Sequence, residues 1–408
     1  MADPLKPRDA ADVEAAVRWA LSERKALEVV GRGSKRAIGR PAQFDATLDL
    51  SGLTGVTLYE PEELVLSARA GTPIAEIEAL VATRGQELAF EPMDYGPLLG
   101  ARTAQGSIGG VLAGNLSGPR RIKSGAARDH FLGFSAVSGR GEIFKSGGRV
   151  VKNVTGYDLC KLLAGSWGTL AAMTDVTIKT LPKSETEATL VVQGLADNPA
   201  IKAMAAAMGS ACDVSGAAHL PARLAPQILA DFNTGRAVTL LRLEGVEPSV
   251  VHRVQALAAV VGPFGAPAVI DAARSRLLWR AIRDVIPFAT NGPYGARPVW
   301  RISTVPSRGA EVGRSIAAKA DGEVFYDWAG GLIWAAVAPS EDAGESVVRQ
   351  TMDAVGGHAT LIRAPVALRA VVPVFGPQDG ALSALTGRVK ESFDPSGVLN
   401  RGRMWAGV

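Results

Sequence analysis

The chain is poor in the side chains that build disulfide frameworks and metal sites. Only two cysteines, Cys160 and Cys212, occur among its 408 residues, so it can form neither a disulfide framework nor a cysteine-ligated iron–sulfur cluster by itself. Its four histidines stand apart and offer no H-x-E or H-x-x-x-H pairing, which argues against a catalytic metal. We therefore expect no metal site, and any iron–sulfur chemistry would belong to a partner.

Long apolar runs are also missing. The apolar runs at Leu332–Val337 and Val366–Val374 are too short to cross a bilayer, and the N-terminal "MADPLKPRDAADVEAAV" has no apolar signal core. We therefore expect a cytoplasmic protein.

The charge is only mildly basic, with a net charge of +4 and an isoelectric point near 9.1. Lys35 and Arg36 lie in one glycine-rich loop and Arg120 and Arg121 in another, among Gly, Ser and Pro and without aromatics that stack on bases. A diphosphate explains this pattern better than a nucleic acid, although solvated loop charges would look the same in either loop alone.

The length suits two domains, each large enough to bury an apolar core. Short glycine clusters concentrate in Thr103–Thr174 and thin out from about Glu185. We expect a first domain at residues 1–183, a second domain at 184–380 and a C-terminal segment at 381–408.

The first glycine-rich loop follows a predicted strand. A helix is predicted over Asp12–Leu21, and "ALEVVG" then indicates a short buried strand that ends in "GRGSKRAIGR". This loop is not a Rossmann fingerprint, because Arg36 stands where G-x-G-x-x-G requires its third glycine. Successive N–H groups from Gly31 to Lys35 can still hold a pyrophosphate, and a surface hairpin turn is the alternative.

The rest of the pattern mixes helices with strands. Pro73 and Gly85 bound a predicted helix in "GTPIAEIEALVATRG", and "FLGFSAVSGRGEIFKSGG" predicts a hairpin. In the second domain, strands are predicted at "ATLVVQGL", "AVTLLRLEG", "RPVWRIST" and "VFYDWAGGLIWAAV", and helices at Pro199–Met208, Pro248–Val260, Asp271–Arg283 and Glu345–Val355. An antiparallel sheet covered by helices is the expected result.

Five blocks of the sequence together resemble one family. They are "GRGSKRAIG", "GSIGGVLAGNLSGPRR", "VVKNVTGYDL", "GSWGTL" and "FDPSGVLNRGRM", in this order. The chain resembles the FAD-binding flavoproteins of the PCMH (vanillyl-alcohol-oxidase) type, and among them the FAD-binding subunits of bacterial glycolate oxidases. The resemblance implies an α+β fold: a PCMH-type FAD-binding domain of two α+β subdomains, followed by a smaller α+β domain with an antiparallel sheet covered by helices. It also implies that the C-terminal segment returns to the FAD-binding domain.

The resemblance further implies that FAD is the cofactor. The residues that it assigns to FAD lie mainly in the two glycine-rich loops and in the later glycine turn: Gly31, Arg32, Gly33, Ser34, Lys35, Pro92, Gly106, Ser107, Gly109, Gly110, Asn115, Ser117, Gly118, Arg121, Gly165, Gly168 and Thr169. Because "GRGSKRAIG" contains neither His nor Cys, and His130 lies away from the expected contacts, we expect FAD to be bound non-covalently.

A second group of residues is expected along the flavin ring. They are Lys152, Asn153, Tyr157 and Asp158 of the "KNVTGYD" block, and Asn400 of the terminal block. A tyrosine can cover a ring face, and lysine or asparagine can hydrogen-bond the pyrimidine edge. Without the surrounding block, Tyr157 would more often be a packing residue.

The aromatic residues of the second domain leave two readings open. Trp300-Arg301 and Tyr326-Asp327-Trp328 either line a cleft over the flavin, with Arg301 holding a substrate carboxylate, or belong to the core of the sheet. No catalytic residue is assigned from the sequence.

Three functions fit these observations. The first is a glycolate oxidase subunit whose FAD takes part in oxidising glycolate or a related 2-hydroxy acid to the 2-oxo acid. The second is a non-catalytic assembly subunit that FAD stabilises, and the third is an independent FAD-dependent alcohol or hydroxy acid oxidase. Related D-2-hydroxy acid dehydrogenases carry a paired-His metal motif, and its absence here favours a subunit that works with a larger FAD-containing subunit and an iron–sulfur subunit.

Overall fold

The computed structural model describes residues 4–149, 156–229 and 235–408. Helices and mainly antiparallel sheets are mixed along the chain, so the fold is α+β, as predicted. The elements up to residue 182 are α1 Ala10–Ser22, β1 Leu27–Val30, β2 Ala46–Asp49, β3 Val56–Glu60, β4 Val65–Arg69, α2 Ile74–Ala82, β5 Gln86–Glu87, α3 Gly96–Leu99, α4 Ile108–Ala113, α5 Arg121–Ser124, α6 Ala127–His130, β6 Phe131–Ser138, β7 Ile143–Gly147, α7 Leu159–Leu163, β8 Ala171–Lys179 and β9 Leu181–Pro182. The later elements are β10 Thr186–Gln193, α8 Asp197–Met208, β11 Gly216–Leu220, β12 Val238–Gly245, α9 Glu247–Val261, β13 Pro267–Ile270, α10 Ala272–Arg283, β14 Val299–Ser303, α11 Gly309–Lys319, β15 Glu323–Asp327, β16 Leu332–Ala336, α12 Glu345–Val355, β17 His358–Arg363, α13 Val366–Val371 and α14 Gly380–Phe393.

The first region, residues 4–182, is built on a five-stranded antiparallel sheet of order β3-β4-β8-β6-β7. The hairpin predicted from "FLGFSAVSGRGEIFKSGG" is confirmed as β6 and β7. A separate parallel pair, β1 with β2, packs with α1. The glycine-rich loop at residues 31–40 leaves the carboxyl end of β1, and this position decides where a ligand can meet its backbone.

The helix α1 shows how the sequence sets these elements. Its first turn is capped by Asp9, whose side chain accepts a hydrogen bond from the Asp12 N–H at 2.9 Å. Val13, Val17 and Ala20 then recur at helical spacing and are all buried. The helix predicted from this spacing is confirmed.

The second region, residues 186–379, is built on an eight-stranded antiparallel sheet of order β13-β10-β12-β11-β15-β16-β14-β17. Helices α8, α9, α11 and α12 cover its outer face and enclose one hydrophobic core. The inner face packs, together with α10, against the first region in a second, continuous core. The predicted antiparallel sheet covered by helices is confirmed, whereas the domain limits at residues 183 and 380 stay a prediction.

Alternation along β14 directs its side chains to the two faces. Trp300 and Ile302 are buried in the outer core, while Val299 belongs to the inner core. Arg301 and Ser303 share the face of Val299, because successive side chains of a strand point to opposite sides. Arg301 therefore faces the first region.

Some elements were not predicted. The helix α11 begins with "GAEVG", and glycine lowers helix propensity, so its sequence did not indicate a helix. The structure explains Gly313: a side chain there would collide with the Tyr326 hydroxyl of the sheet beneath. The stretch from Ala364 onward, for which no helix was predicted, contains α13 and leads into α14.

No helix in the three described segments is long and apolar enough to span a membrane.

Candidate functional site

A first cleft opens beside the carboxyl end of β1 and the start of α4. Its lining consists of Val29, Val30, Gly31, Arg32, Gly33, Ser34, Lys35, Arg36, Leu50, Ala70, Ser107, Gly109, Gly110, Ala113, Trp167, Gly168, Ala171, Met173 and Arg403. Nine of the residues expected to bind FAD thus come together: Gly31, Arg32, Gly33, Ser34, Lys35, Ser107, Gly109, Gly110 and Gly168. The cleft draws on four of the five sequence blocks, which lie far apart in the chain.

Two glycines of α4 serve different purposes. A Cβ on Gly109 would lie 2.8 Å from the Ala70 carbonyl oxygen, so this glycine lets α4 pack closely against the end of β4. A Cβ on Gly110 would lie 3.3 Å from the Lys35 Nζ and would occupy cleft space. Ser107 starts the helix by accepting a hydrogen bond from the Gly110 N–H at 3.4 Å.

The two partly buried cations of the first cleft, Lys35 and Arg403, have no carboxylate within 4 Å in the part of the chain that the structure describes. Burial, and to a smaller extent the charge of Arg403, lowers the pKa of Lys35 to about 8. Burial also lowers the pKa of Arg403 to about 10. The Arg403 Nη2 donates a hydrogen bond to the Lys35 carbonyl at 2.8 Å, but its buried Nε has no hydrogen-bond partner. These cations fit a bound anion such as the diphosphate of FAD.

Arg403 was not predicted as a site residue. Its block, "FDPSGVLNRGRM", pointed to Asn400 instead. Only the path of the C-terminal segment, which runs beside β1 through the Leu27–Leu399 bridge, brings Arg403 to the cleft. The guanidinium carbon lies 5.6 Å from the centroid of the Trp167 ring.

The C-terminal segment is anchored by a buried ion pair. Lys390 Nζ lies 2.7 Å from Asp394 Oδ2 and also donates to the carbonyl oxygens of Thr169 (2.6 Å) and Leu399 (3.0 Å). Both Lys390 and Asp394 are almost fully buried. The pair therefore fixes the terminal segment against the glycine turn that lines the first cleft.

Asn400 acts within the same anchor. Its Nδ2 donates to the Trp167 carbonyl at 2.8 Å, and its Oδ1 accepts from the Val29 N–H at 2.8 Å. The residue is 1% exposed. The structure thus uses this amide to join β1 to the glycine turn, while a direct contact with the flavin ring stays a prediction.

A second cleft lies where the two regions meet. It is lined by Met93, Tyr95, Gly114, Asn115, Leu116, Ser117 and Trp167 of the first region and by Arg301, Thr360, Ile362 and Phe375 of the second. Trp167 lines both clefts, so the clefts adjoin at its indole. An elongated ligand such as a dinucleotide suits two clefts in this arrangement.

Trp167 has a backbone conformation that is rare for a residue with a side chain. Its φ is +54°, between Gly165 at +89° and Gly168 at +74°. Such a residue costs about 1 kcal/mol or more and persists only where its surroundings hold it. The Trp167 N–H donates to the Ala113 carbonyl at 2.9 Å, and the ring packs against Phe375 at 5.8 Å between centroids. The indole is therefore held firmly at the junction of the clefts.

Arg301 is the only charged residue among the described residues that line the second cleft. Burial lowers the pKa of its guanidinium, and no carboxylate in the described segments lies within 4 Å of it. The guanidinium carbon lies 5.0 Å from the centroid of the Trp328 ring. Trp328 itself is buried and donates through Nε1 to the Gly118 carbonyl at 3.0 Å.

The other aromatic residues of the second region belong to the core. Trp300 is fully buried, and its Nε1 donates to the Ala343 carbonyl at 2.8 Å. Tyr326 is also buried, and its hydroxyl donates to Asp197 at 2.7 Å. The two readings of this sequence thus apply to different residues, with Arg301 lining the cleft and its neighbours packing the sheet.

Several residues expected to bind FAD support the surrounding loops. Ser117 Oγ accepts from the Ala127 N–H at 2.9 Å, and Thr169 Oγ1 donates to a neighbouring carbonyl at 2.8 Å. The Asp158 carboxylate caps α7 by accepting from the Lys161 N–H at 3.3 Å. These contacts position the clefts, and a direct contact of these residues with FAD stays a prediction.

The structure does not bring six other expected residues into either cleft: Pro92, Gly106, Gly118, Arg121, Tyr157 and Gly165. Pro92 and Gly106 line a separate cleft that also contains Val111 of α4. Arg121 lies over Trp328, and the Tyr157 ring is 90% exposed. Lys152 and Asn153 lie outside the described residues.

A buried charge network joins the two regions and was missed from the sequence. Arg120 lies 2.7 Å from Glu87 and 2.8 Å from Glu244, and Arg242 lies 2.8 Å from Glu91. Burial alone would raise the pKa of Glu91, but Arg242 and Arg120 outweigh it and lower that pKa to about 2. These residues follow no common spacing, so no sequence pattern indicates the pairing.

Comparisons with known proteins define the class. The "FAD binding domain" family model matches residues 5–147. The structure also resembles p-cresol methylhydroxylase with a TM-score of 0.72 over 98% of this chain and 87% of that one; at 12% identity this likeness shows the fold alone. The chain is an FAD-dependent oxidoreductase with a PCMH-type fold, and FAD is its cofactor.

Two curated relatives narrow the family. Glycolate oxidase subunit GlcE of Escherichia coli (strain K12) is 31% identical over 394 residues, which are 96% of this chain and 95% of the relative. Glycolate oxidase subunit GlcD of Bacillus subtilis (strain 168) is 28% identical over 54% of this chain and 44% of the relative. The chain therefore belongs to the GlcE family of FAD-binding glycolate oxidase subunits.

Proposed function

We propose that the chain serves a glycolate oxidase complex that oxidises glycolate, or a related 2-hydroxy acid, to the 2-oxo acid. The observation that carries this proposal is Arg301, a cation that the second region directs into the cleft adjoining the first cleft. A guanidinium without a carboxylate partner, as Arg301 is among the described residues, suits the carboxylate that every 2-hydroxy acid carries. The similarity to GlcE over nearly the whole chain supports the same substrate class.

Each part of the proposed site has a separate task. When bound, FAD supplies the chemistry, because it accepts the two electrons that the carbinol carbon of the substrate loses. Lys35 and Arg403 hold the diphosphate in the first cleft, and Arg301 orients the substrate carboxylate in the second. Burial raises the pKa of Tyr95 to about 12, so its hydroxyl keeps its proton and can donate a hydrogen bond to the substrate.

We propose that FAD is bound non-covalently and that electrons leave through partner chains. Neither cleft has a His or Cys among its described lining residues, which supports non-covalent binding. The only two cysteines, Cys160 and Cys212, are buried and cannot ligate a cluster alone. An iron–sulfur subunit and a larger FAD-containing subunit would complete the complex, in the cytoplasm or at the inner membrane through those partners.

A second candidate is an assembly subunit whose FAD only stabilises the fold. One observation favours it: no Asp, Glu or His occurs among the described residues that line the second cleft. The usual general bases for removing the hydroxyl proton are therefore not at hand.

The two candidates differ in the behaviour of the bound flavin. The purified chain should show a flavin spectrum, and anaerobic glycolate should bleach it, alone or after co-expression with the partner subunits. Arg301→Gln should abolish that bleaching and keep the flavin content, while Arg301→Lys should restore part of it. A flavin that stays oxidised in both the isolated chain and the complex would favour the assembly role, and a colourless protein would contradict FAD binding itself.

A further inference from the structure

A second arginine lies beside Arg301. The guanidinium carbon of Arg121 is 4.3 Å from the centroid of the Trp328 ring, and that of Arg301 is 5.0 Å from the same centroid. The two charges are therefore at most about 9 Å apart. Trp328 is buried and tied to the Gly118 carbonyl, so it holds this spacing.

The pair of arginines is not neutralised by the protein. Neither Arg121 nor Arg301 has a carboxylate within 4 Å in the described parts of the chain. Burial lowers the pKa of Arg121, and the charge of Arg301 lowers it further. The pKa of His358 is also lowered, mainly by burial and to a smaller extent by the charges of Arg301 and Arg121. The nearby Asp327 does not offset these charges fully, because burial raises its pKa to about 7.

The positive groups lead from the second cleft to the surface. Arg301 lines the cleft, whereas Arg121 and His358 lie nearer the surface, where the protein covers each side chain only in part. In the register of β14 and β17, Arg301 pairs with Thr360 and Ser303 pairs with His358, which places His358 one step along the same face of the sheet. Because Arg121 and Arg301 lie over the same Trp328 ring, a second anionic group of a ligand held at Arg301 would be within reach of Arg121.

One carboxylate needs only one of these guanidiniums. In the proposed site, Lys35 and Arg403 bind the diphosphate of FAD in the first cleft, so Arg121 is not needed for that task. We propose that Arg121 binds a second anionic group of the substrate, so that the site accepts dicarboxylic 2-hydroxy acids as well as glycolate. This inference rests on the proposed role of Arg301.

Binding of inert acids to the FAD-loaded chain tests the inference without turnover. Succinate and butyrate have four carbons each and lack the 2-hydroxyl group, and they differ in the second carboxylate. Their dissociation constants are measured by difference spectra of the oxidised flavin. The variants are Arg121→Gln, Arg121→Lys and Arg301→Gln, with Arg388→Gln on the exposed side of α14 as the matched control.

We expect the wild-type chain to bind succinate about tenfold or more tightly than butyrate, since one charge-assisted hydrogen bond contributes about that factor. Arg121→Gln should remove this preference and leave butyrate binding unchanged, Arg121→Lys should keep part of it, and Arg388→Gln should keep all of it. Equal binding of the two acids by the wild type, or an equal loss for both acids in Arg121→Gln, would overturn the inference. If Arg301→Gln leaves butyrate binding intact, the proposed role of Arg301 fails instead, and no spectral change with either acid would count against both.

Discussion

The first cleft and the second cleft are lined by different kinds of groups. The first consists largely of backbone and small residues from short glycine-rich blocks, and its two partly buried cations, Lys35 and Arg403, have no carboxylate partner among the described residues. The second consists of side chains from both regions, and its charge comes from Arg301 on the eight-stranded sheet. A cofactor site made of backbone leaves a strong local signature in the sequence, whereas a site made of converging side chains does not.

This difference separates the expected effects of substitutions. Changes in the first cleft, or in the segment that holds it, should release FAD. Changes confined to the second cleft should alter substrate handling and leave FAD bound. The predictions below test that separation, beginning with the largest expected effect.

Gly110→Val should yield a folded chain with almost no FAD. The new side chain would enter the cleft beside Lys35 Nζ, which a Cβ alone already approaches to 3.3 Å. The measurement is the ratio of flavin to protein absorbance after purification, with circular dichroism to verify the fold. Gly387→Val on α14, where a Cβ meets nothing within 4 Å, is the control and should keep its flavin. Full flavin retention in Gly110→Val would contradict the location of the cofactor.

Lys390→Met should lower the free energy of unfolding by about 3 kcal/mol or more, because it leaves Asp394 as an unpaired buried charge. FAD affinity should fall with it, since the same lysine anchors the Thr169 carbonyl of the glycine turn. Urea unfolding and flavin titration measure the two effects. Lys319→Met, at an exposed position of α11, is the control and should change neither the free energy of unfolding nor the FAD affinity. An equally small effect of Lys390→Met would show that the Lys390–Asp394 pair does not anchor the C-terminal segment.

The charge network between the regions should make stability sensitive to acid. Glu91 has a pKa of about 2 in the folded chain, below its usual value of 4.5, so its contribution is complete above pH 4.5 and is lost as the pH falls toward 2. The contribution is about 3 kcal/mol at neutral pH. The free energy of unfolding of wild type and Glu91→Gln should differ clearly at pH 7, and the difference should shrink below pH 4.5 and vanish only as the pH falls to about 2 or lower. A difference that stays constant with pH would show that the ion pair is not its source.

Arg403→Gln should weaken FAD binding about tenfold or more and leave the folded chain intact, because the guanidinium has no carboxylate partner to lose among the described residues. The dissociation constant of FAD is measured by flavin fluorescence. Arg401→Gln, an exposed neighbour in the same segment, serves as the control. Equal dissociation constants of FAD for Arg403→Gln and Arg401→Gln would contradict the assignment of Arg403 to the first cleft.

Tyr157→Ala should have the smallest effect. Its ring is 90% exposed and lines neither cleft, so the free energy of unfolding should change by less than about 0.5 kcal/mol. The flavin absorbance spectrum should also stay unchanged. A clear spectral shift would instead support the contact with the flavin ring that the "KNVTGYD" block predicts.

The sequence predicted the first cleft better than the second. Gly31–Lys35, Ser107 and Gly110 were recognisable because a phosphate-bearing ligand needs exposed N–H groups and no Cβ atoms, which requires glycine at fixed places in short segments. Arg301 was recognised only as one of two readings. An arginine on a strand gives no indication of the face it occupies until the register of the sheet is known.

The structural role of Asn400 was not predicted and Arg403 was missed as a site residue for the same reason. Both belong to one recognisable block, but side chains three residues apart in an irregular segment can point in unrelated directions. The Asn400 amide is used by Val29 and Trp167, and Arg403 reaches Lys35 instead. The block therefore identified the segment, and the tertiary structure assigned the task of each residue.

By itself, the sequence determined the family, the FAD cofactor, the α+β fold and the glycine-rich segments that form the first cleft. The family, the cofactor and the fold followed from the resemblance of the five sequence blocks to known flavoproteins. The glycine-rich segments followed from local geometry, since contiguous residues build the loop that carries the backbone N–H groups. Only the tertiary structure decided that Arg403 completes this cleft, that Arg120 and Arg242 bind the two regions together and that Arg301 and Arg121 share Trp328. Those arrangements join residues that are distant in the chain, and the packing of the eight-stranded sheet on the first region brings them within reach.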